Sequence, residues 1–299
     1  MEKLLKDYAG YFERFLSHSE AFIARTCRRT GSKERIERGE VDYHYINDYR
    51  YFTFTKNTRL LRSCYTLLKE GCYEEVICLC RTMFECYLSA RYVDECFDPD
   101  LIRDMIVVPL EIARRTVIPN DNSDQIYHRE TNELLDFQQR SPNTMHLGKD
   151  KRYFFDLYAL LCSYVHCNFS QVLSYLDEDQ EQFVLYTDNN AELAHILPLF
   201  LFYKNFESTV LLEQVLFPSE QEEAECCALI EEVTVFLYER FSQLSASWEG
   251  CYGPYADKHT RKLFSYMKVS LKEQLGRVDK SFVQELEKKK YGRKQTAAQ

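Results

Sequence analysis

Two helical segments carry the residues of this sequence that could do chemistry. Placed on a helix, residues 76–92 form an apolar stripe of Ile77, Cys80, Phe84, Tyr87 and Leu88. Arg81 falls inside it, between Leu88 and Tyr92, and Glu85 follows one turn later on its margin. An unpaired charge on a core-facing stripe costs about 3–5 kcal/mol, on the scale of a broken buried pair. An exposed i,i+4 ion pair returns only about 0.3–0.5 kcal/mol. Because a guanidinium has several N–H donors to satisfy, further polar groups or a ligand anion are expected around Arg81.

The second segment is a helix expected over 151–176. Its apolar arc holds Phe154, Phe155, Cys162, Val165, Phe169 and Val172, with His166 on the margin and Ser163 one turn before it. An imidazole moves protons near neutral pH, and an arginine stabilises charge developing on a phosphate.

The string Leu68-Lys-Glu-Gly-Cys-Tyr-Glu-Glu-Val-Ile-Cys-Leu-Cys-Arg81-Thr-Met-Phe-Glu85 resembles the R-x-x-x-E helix of a bacterial family of unknown function. That family's second signature, close to Tyr-x-x-Leu-Ser-x-x-x-His, is similar to Tyr158-x-x-Leu161-Cys162-Ser163-Tyr-Val-His166, with Cys162 standing where the family usually has Ser. The resemblance covers roughly residues 55–176. The family in turn looks like the HEPN helical domains of antiphage defence and toxin systems, whose catalytic members are metal-independent ribonucleases acting as dimers. Those members carry Arg and His on one helix, with four to six residues between them. Here the matching positions before His166 are Ala159, Leu160 and Leu161, so the cation would have to come from Arg81 on the neighbouring helix. The resemblance therefore makes Arg81, Glu85 and His166 candidate catalytic residues, with His166 as acid/base and Glu85 orienting. Tyr158, Ser163 and Asn168 become candidate binding residues.

Two function classes follow. One is an HEPN-like effector of a bacterial defence or toxin system that acts on RNA or a nucleotide through the Arg/Glu/His cluster. The other is a non-catalytic sensing or protein-interaction module in which the same cluster fixes helix register. The resemblance implies a homodimer, and a defence-system protein as a possible partner.

The elements that must position these residues are helical. The chain has 299 residues, 45% of them hydrophobic, with only 9 Gly and 7 Pro against 20 Phe and 22 Tyr. Few breakers and many aromatics favour packed helices over disorder. Helices are expected over 2–27, 45–69, 73–96 and 99–115, with a charged loop at 28–43 and a stop at Lys69-Glu-Gly-Cys72. An irregular stretch at 117–150 is expected to enclose a helix at 126–139. After the 151–176 helix, a polar hairpin or loop at 177–190 leads to helices over 191–216, 220–247 and 257–290. Ser219 reads as the N-cap of the 220–247 helix, with Glu222 completing a capping box. The fold class is all-α, an HEPN-like bundle with additional C-terminal helices. It is read as one composite domain over 1–299, with a core at about 45–217, C-terminal helices at 218–290 and a frayed basic tail at 291–299.

Charge and cysteine usage narrow the function further. The net charge is −9, yet from Asp257 onward 12 Lys/Arg face 5 Asp/Glu, leaving −16 for the rest. An acidic body with a basic tail is a poor general polyanion binder. The 12 cysteines make no C-x-x-C pair and several fall in mid-helix, which suits small apolar fillers in a reducing cytoplasm. The most apolar run, Ile196–Tyr203, is too short to cross a bilayer, so no membrane association is expected. No phosphate-binding Gly-rich loop, His-Glu-x-x-His or Gly-x-Ser-x-Gly occurs, and neither metal nor cofactor is expected. His195 reads as structural. His128 and His146 lie in the irregular stretch, and Trp248, Tyr252 and Tyr255 are aromatics that could stack on a base or cover a loop.

Overall fold

The computed structural model describes residues 2–26, 43–96, 99–120, 123, 125–138, 140, 145, 151–166, 172, 175–177, 182–185, 187–211, 217–252 and 258–278. The expected loop at 28–43, most of the segment around His146, Asn168, Tyr255 and the basic tail lie outside the described residues.

At the centre lies a helix of Ala191–Thr209, here α6, whose residues are buried almost continuously from Leu193 to Phe206. A helix that is apolar all round must be covered all round. The covering comes from α1 (Glu2–Arg25), α2 (Tyr43–Lys69), α3 (Tyr73–Cys96) and α7 (Glu220–Tyr252). Phe15 and Phe54 pack their rings against Phe202 and Phe206 from the α1 and α2 sides. The remaining helices are α4 (Pro99–Arg114), α5 (Lys151–Val165), packed against α3, and α8 (Lys258–Val278), packed against α5 and α7. One continuous apolar cluster runs from Tyr8 in α1 to Leu271 in α8. None of the described helices is long and apolar enough to cross a membrane.

Helix ends follow local chemistry. Gly71 closes α2 in the left-handed conformation, φ 76°. The N–H of Cys72 reaches back to Leu67 O at 3.0 Å and that of Gly71 to Leu68 O at 3.3 Å, a Schellman ending. At the start of α7, Ser219 Oγ accepts the Glu222 N–H at 3.2 Å, as its N-cap role requires. The Glu222 carboxylate turns to Arg25 of α1. Ion pairs Arg14–Glu232 and Asp7–Arg240 extend the same α1–α7 seam.

Residues 117–138 depart from the expected helix. They form a three-stranded antiparallel meander of β1 (Val117–Pro119), β2 (Gln125–His128) and β3 (Leu134–Gln138). The overriding signals are a turn at Thr131-Asn132, with Asn132 at φ 54°, and the burial of Val117 and Ile126 against Val108 of α4 while their strand neighbours face outward. The expected 151–176 helix stops at Val165, and a two-stranded hairpin of β4 (Leu176–Asp177) and β5 (Gln182–Phe183) follows, starting on the last residue of the expected helix and reaching into the expected hairpin region.

A buried carboxylate ties the meander to α4. Asp104, whose side chain is 2% exposed, accepts Arg140 Nε at 3.0 Å, Arg140 Nη2 at 2.9 Å and the Gln138 N–H at 3.3 Å. Asp104→Ala leaves these donors without their acceptor, and a loss of about 2–3 kcal/mol is expected in urea unfolding.

His195 sits on α6 between the rings of Tyr8 and Tyr73, at 5.3 and 5.8 Å. Its Nδ1 lies 2.6 Å from Ala191 O, which makes Nδ1 the protonated nitrogen and leaves the buried Nε2 with no hydrogen-bond partner. A second proton would put an unpaired N–H in the core, so burial lowers its pKa below the usual 6.5, only partly opposed by the Ala191 carbonyl. The unfolded chain then binds more protons than the folded one, and stability is lost as pH falls below about 6.5. His18, also lowered by burial, adds in the same direction. His195→Gln is expected to flatten part of the fall in unfolding free energy between pH 7.5 and 5.5, measured by urea titration at each pH.

Candidate functional site

α3 and α5 run antiparallel. Contacts step along the pair from Cys78 with Tyr164, through Arg81 with Tyr158, to Phe84 with Phe154. Glu74 and Glu75 stand in the first turn of α3, where carboxylates complement the helix dipole. Val76, Ile77, Cys80, Phe84 and Leu88 of α3 go to the core. That leaves Cys78, Arg81 and Glu85 on the seam with α5, half-buried.

Cys78 Sγ donates to Tyr164 O at 3.1 Å, satisfying a carbonyl in the last turn of α5. Burial and the nearby Glu74 and Glu75 carboxylates push this thiol up to about 11, so it stays protonated and able to donate.

One turn further on, three side chains close a ring of hydrogen bonds. Arg81 Nε donates to Glu85 Oε1 at 3.2 Å and Arg81 Nη2 to Tyr158 Oη at 3.0 Å, while Tyr158 Oη donates to the same Glu85 Oε1 at 3.3 Å. The Arg81 guanidinium also lies 5.2 Å from the Tyr158 ring centroid. That ring is stacked on Phe154 at 5.8 Å, with the planes 16° apart. The Arg81 and Glu85 side chains keep 24% and 28% of their exposure. Burial alone would lower the Arg81 pKa; the Tyr158 hydrogen bond and neighbouring negative groups outweigh it, and the guanidinium is held more firmly charged. Burial raises the Tyr158 phenol, with Arg81 opposing and Glu85 adding to the shift, so the hydroxyl keeps its proton at neutral pH.

Of the residues singled out in the sequence, Arg81, Glu85 and Tyr158 are therefore brought together. Ser163 donates to Leu160 O at 2.7 Å, within its own helix. His166 is exposed just beyond the end of α5, its N–H bonded to Cys162 O at 3.1 Å. Eight residues separate it from Tyr158, a rise of about 12 Å along a helix. Asn168 lies outside the described residues. His128 ends β2, half-buried, with its Nδ1 accepting the Thr131 N–H at 3.3 Å. The side chains of Trp248 and Tyr252 fall outside the described residues. Among the described residues no three of His, Cys, Asp and Glu gather so as to hold a metal ion.

Sequence reasoning missed a pocket on the far side of Glu85. It lies between α2, α3 and α4, takes in Lys56, Phe52 and Arg140, and has a volume of about 160 Å³. A signal was there to be read. Phe54, Asn57, Thr58 and Leu61 mark the buried face of α2, and Phe52 falls on the opposite face, 59% exposed.

Residues 48–183, somewhat under half of the chain, match the model of a family of unknown function (DUF5677). The matched span holds both motifs, Arg81-x-x-x-Glu85 and Tyr158 to His166. Neither the curated proteins nor the solved structures contain a match to the chain.

The closed ring predicts coupling between α3 and α5. Tyr158→Phe removes the hydroxyl that both other groups use and is expected to cost about 1 kcal/mol in urea unfolding. In a double-mutant cycle with Arg81→Met, a coupling of about 0.5–1 kcal/mol is expected, kept small by the partial exposure of the pair.

Proposed function

We propose that this chain is an HEPN-like helical module of a bacterial defence or toxin system, and that it senses or binds a partner rather than cleaving RNA. The observation that carries the second half is the closed Arg81–Glu85–Tyr158 ring. Each of its groups is engaged by the other two, and the ring joins α3 to α5. Such a network clamps one helix in register on another, and a partner that favoured its opening or its closing would shift that contact. The HEPN-like class, the defence setting and a homodimeric assembly rest on the resemblance of the two motifs.

The effector reading, with Arg81, Glu85 and His166 acting on RNA or a nucleotide, has one observation in its favour. Arg81 and Glu85 retain about a quarter of their exposure, so the ring is not sealed. Against it stands the position of His166. General acid/base work requires the imidazole within hydrogen-bond reach of the reacting group or one water away. Here it is displaced by about two helical turns from the Tyr158 that Arg81 contacts.

The two readings part on one experiment. Wild type, Arg81→Ala and His166→Ala are expressed in a bacterial host, with growth and total RNA scored. Intact RNA in all three is expected. RNA degradation by wild type that either substitution abolishes would establish the effector reading in its place.

A further inference from the structure

The pocket beside Glu85 has features that a gap between helices does not need. Its apolar part includes Tyr49 and Phe52 of α2, their ring centroids 6.2 Å apart, with Met105 of α4 and Met145. Phe52 remains 59% exposed on the rim. There it presents a flat aromatic face to anything arriving from solvent. Ser89 of α3, whose hydroxyl donates to Cys86 O at 3.2 Å, and Thr82 add polar groups to the wall.

The charges around the pocket select the ligand. Glu85 is answered by Arg81, and Arg140 by Asp104. Lys56 also lines the pocket, and among the described residues no carboxylate pairs with it. Its ammonium is close enough to oppose, in part, the burial that raises the Cys86 thiol. Among the described residues, one positive charge is thus left over, at the rim beside an aromatic face. A monoanion balances it. A phosphate dianion would add excess negative charge close to the Glu85 carboxylate.

Size selects further. A cavity of about 150 Å³ holds a single benzene ring. Sites for larger ligands run to about 300–1,000 Å³. The 160 Å³ here suits one ring, and a nucleotide would have to leave its sugar and phosphate outside in solvent.

We propose that this pocket is a binding site for a small aromatic monocarboxylate, its carboxylate paired with Lys56 and its single ring lying against Phe52 and Tyr49. The site stands apart from the reading of the Arg81 ring and does not depend on it.

The test uses the full chain with benzoate as the probe, followed by ligand-observed NMR and thermal shift. Saturable binding is expected, with a Kd on the order of 1 mM, the range open to a ligand of so few atoms. Lys56→Met and Phe52→Ala are each expected to weaken it about tenfold or more. Both side chains are exposed, so both variants should fold, and circular dichroism checks this. Tyr158→Phe should bind benzoate as wild type does, which separates this site from the α3–α5 clamp. Neutral benzamide should bind at least about tenfold more weakly than benzoate, and adenosine monophosphate should not compete. Absence of saturable benzoate binding, binding unchanged in both pocket variants, or competition by adenosine monophosphate at equal strength would each overturn the proposal.

Discussion

A helix with apolar residues on every face has to be covered on every face, and Ala191–Thr209 is such a helix. Its cover consumes the apolar sides of α1, α2, α3 and α7, and that demand fixes how each of them is rotated. For α3 the rotation that gives Val76, Ile77, Cys80 and Leu88 to the core turns Arg81 and Glu85 toward α5. The charged pair is half-buried because of where the core requires the rest of the helix to face. α5 can close over it only with a side chain that is apolar along its length and polar at its tip. Tyr158 is that side chain, its ring stacked on Phe154 and its hydroxyl in the ring of hydrogen bonds.

The same central helix carries polar groups that the core tolerates only at a cost. Asn205 is fully buried with neither side-chain atom hydrogen-bonded, His195 Nε2 is likewise without a partner, and so is Tyr8 Oη of α1 beside it. Tyr203 fares otherwise: its hydroxyl accepts Thr234 Oγ1 of α7 at 2.9 Å. Leaving such groups unpaired costs about 1–3 kcal/mol each, so sites of this kind are where internal water resides in folded proteins. The apolar cover of α6 is therefore strong enough to carry several polar defects, while at the seam between α3 and α5 Arg81, Glu85 and Tyr158 hydrogen-bond one another.

Much of this was legible in the sequence because the relevant signals are local. Gly71 announced the end of α2 through its freedom at positive φ, and Ser219 the start of α7 through its hydroxyl. The span of α3, Tyr73–Cys96, follows from its periodicity and the turn before it. The pairing of Arg81 with Glu85 came from their spacing, and the need for a further polar partner came from the donor count of arginine. What was not legible is whatever depends on a second element. Leu134 and Leu135 read as helical until Ile126 and Val117 find a surface on α4 to pack against. The distance of His166 from Arg81 depends on the antiparallel register of α3 and α5, which motif spacing does not contain. The pocket beyond Glu85 is assembled from residues of three helices and from Arg140, too far apart in sequence to be read as a group.

Glu85 lies where these structures meet. Its neighbours one turn before and after on α3 divide between two surroundings: Arg81 belongs to the α5 seam, while Thr82 and Ser89 belong to the pocket wall. Its Oε1 is occupied by both Arg81 and Tyr158. A carboxylate has two oxygens and about four acceptor sites, so it can complete the ring with one oxygen while the other borders the pocket. Glu85 thus stands between the seam and the pocket, and its hydrogen bonds among the described residues go to the seam. The arginine in the apolar stripe is thus one end of a short row of polar groups, Arg81, Glu85, Thr82 and Ser89, on the sides of α3 that the apolar core does not take.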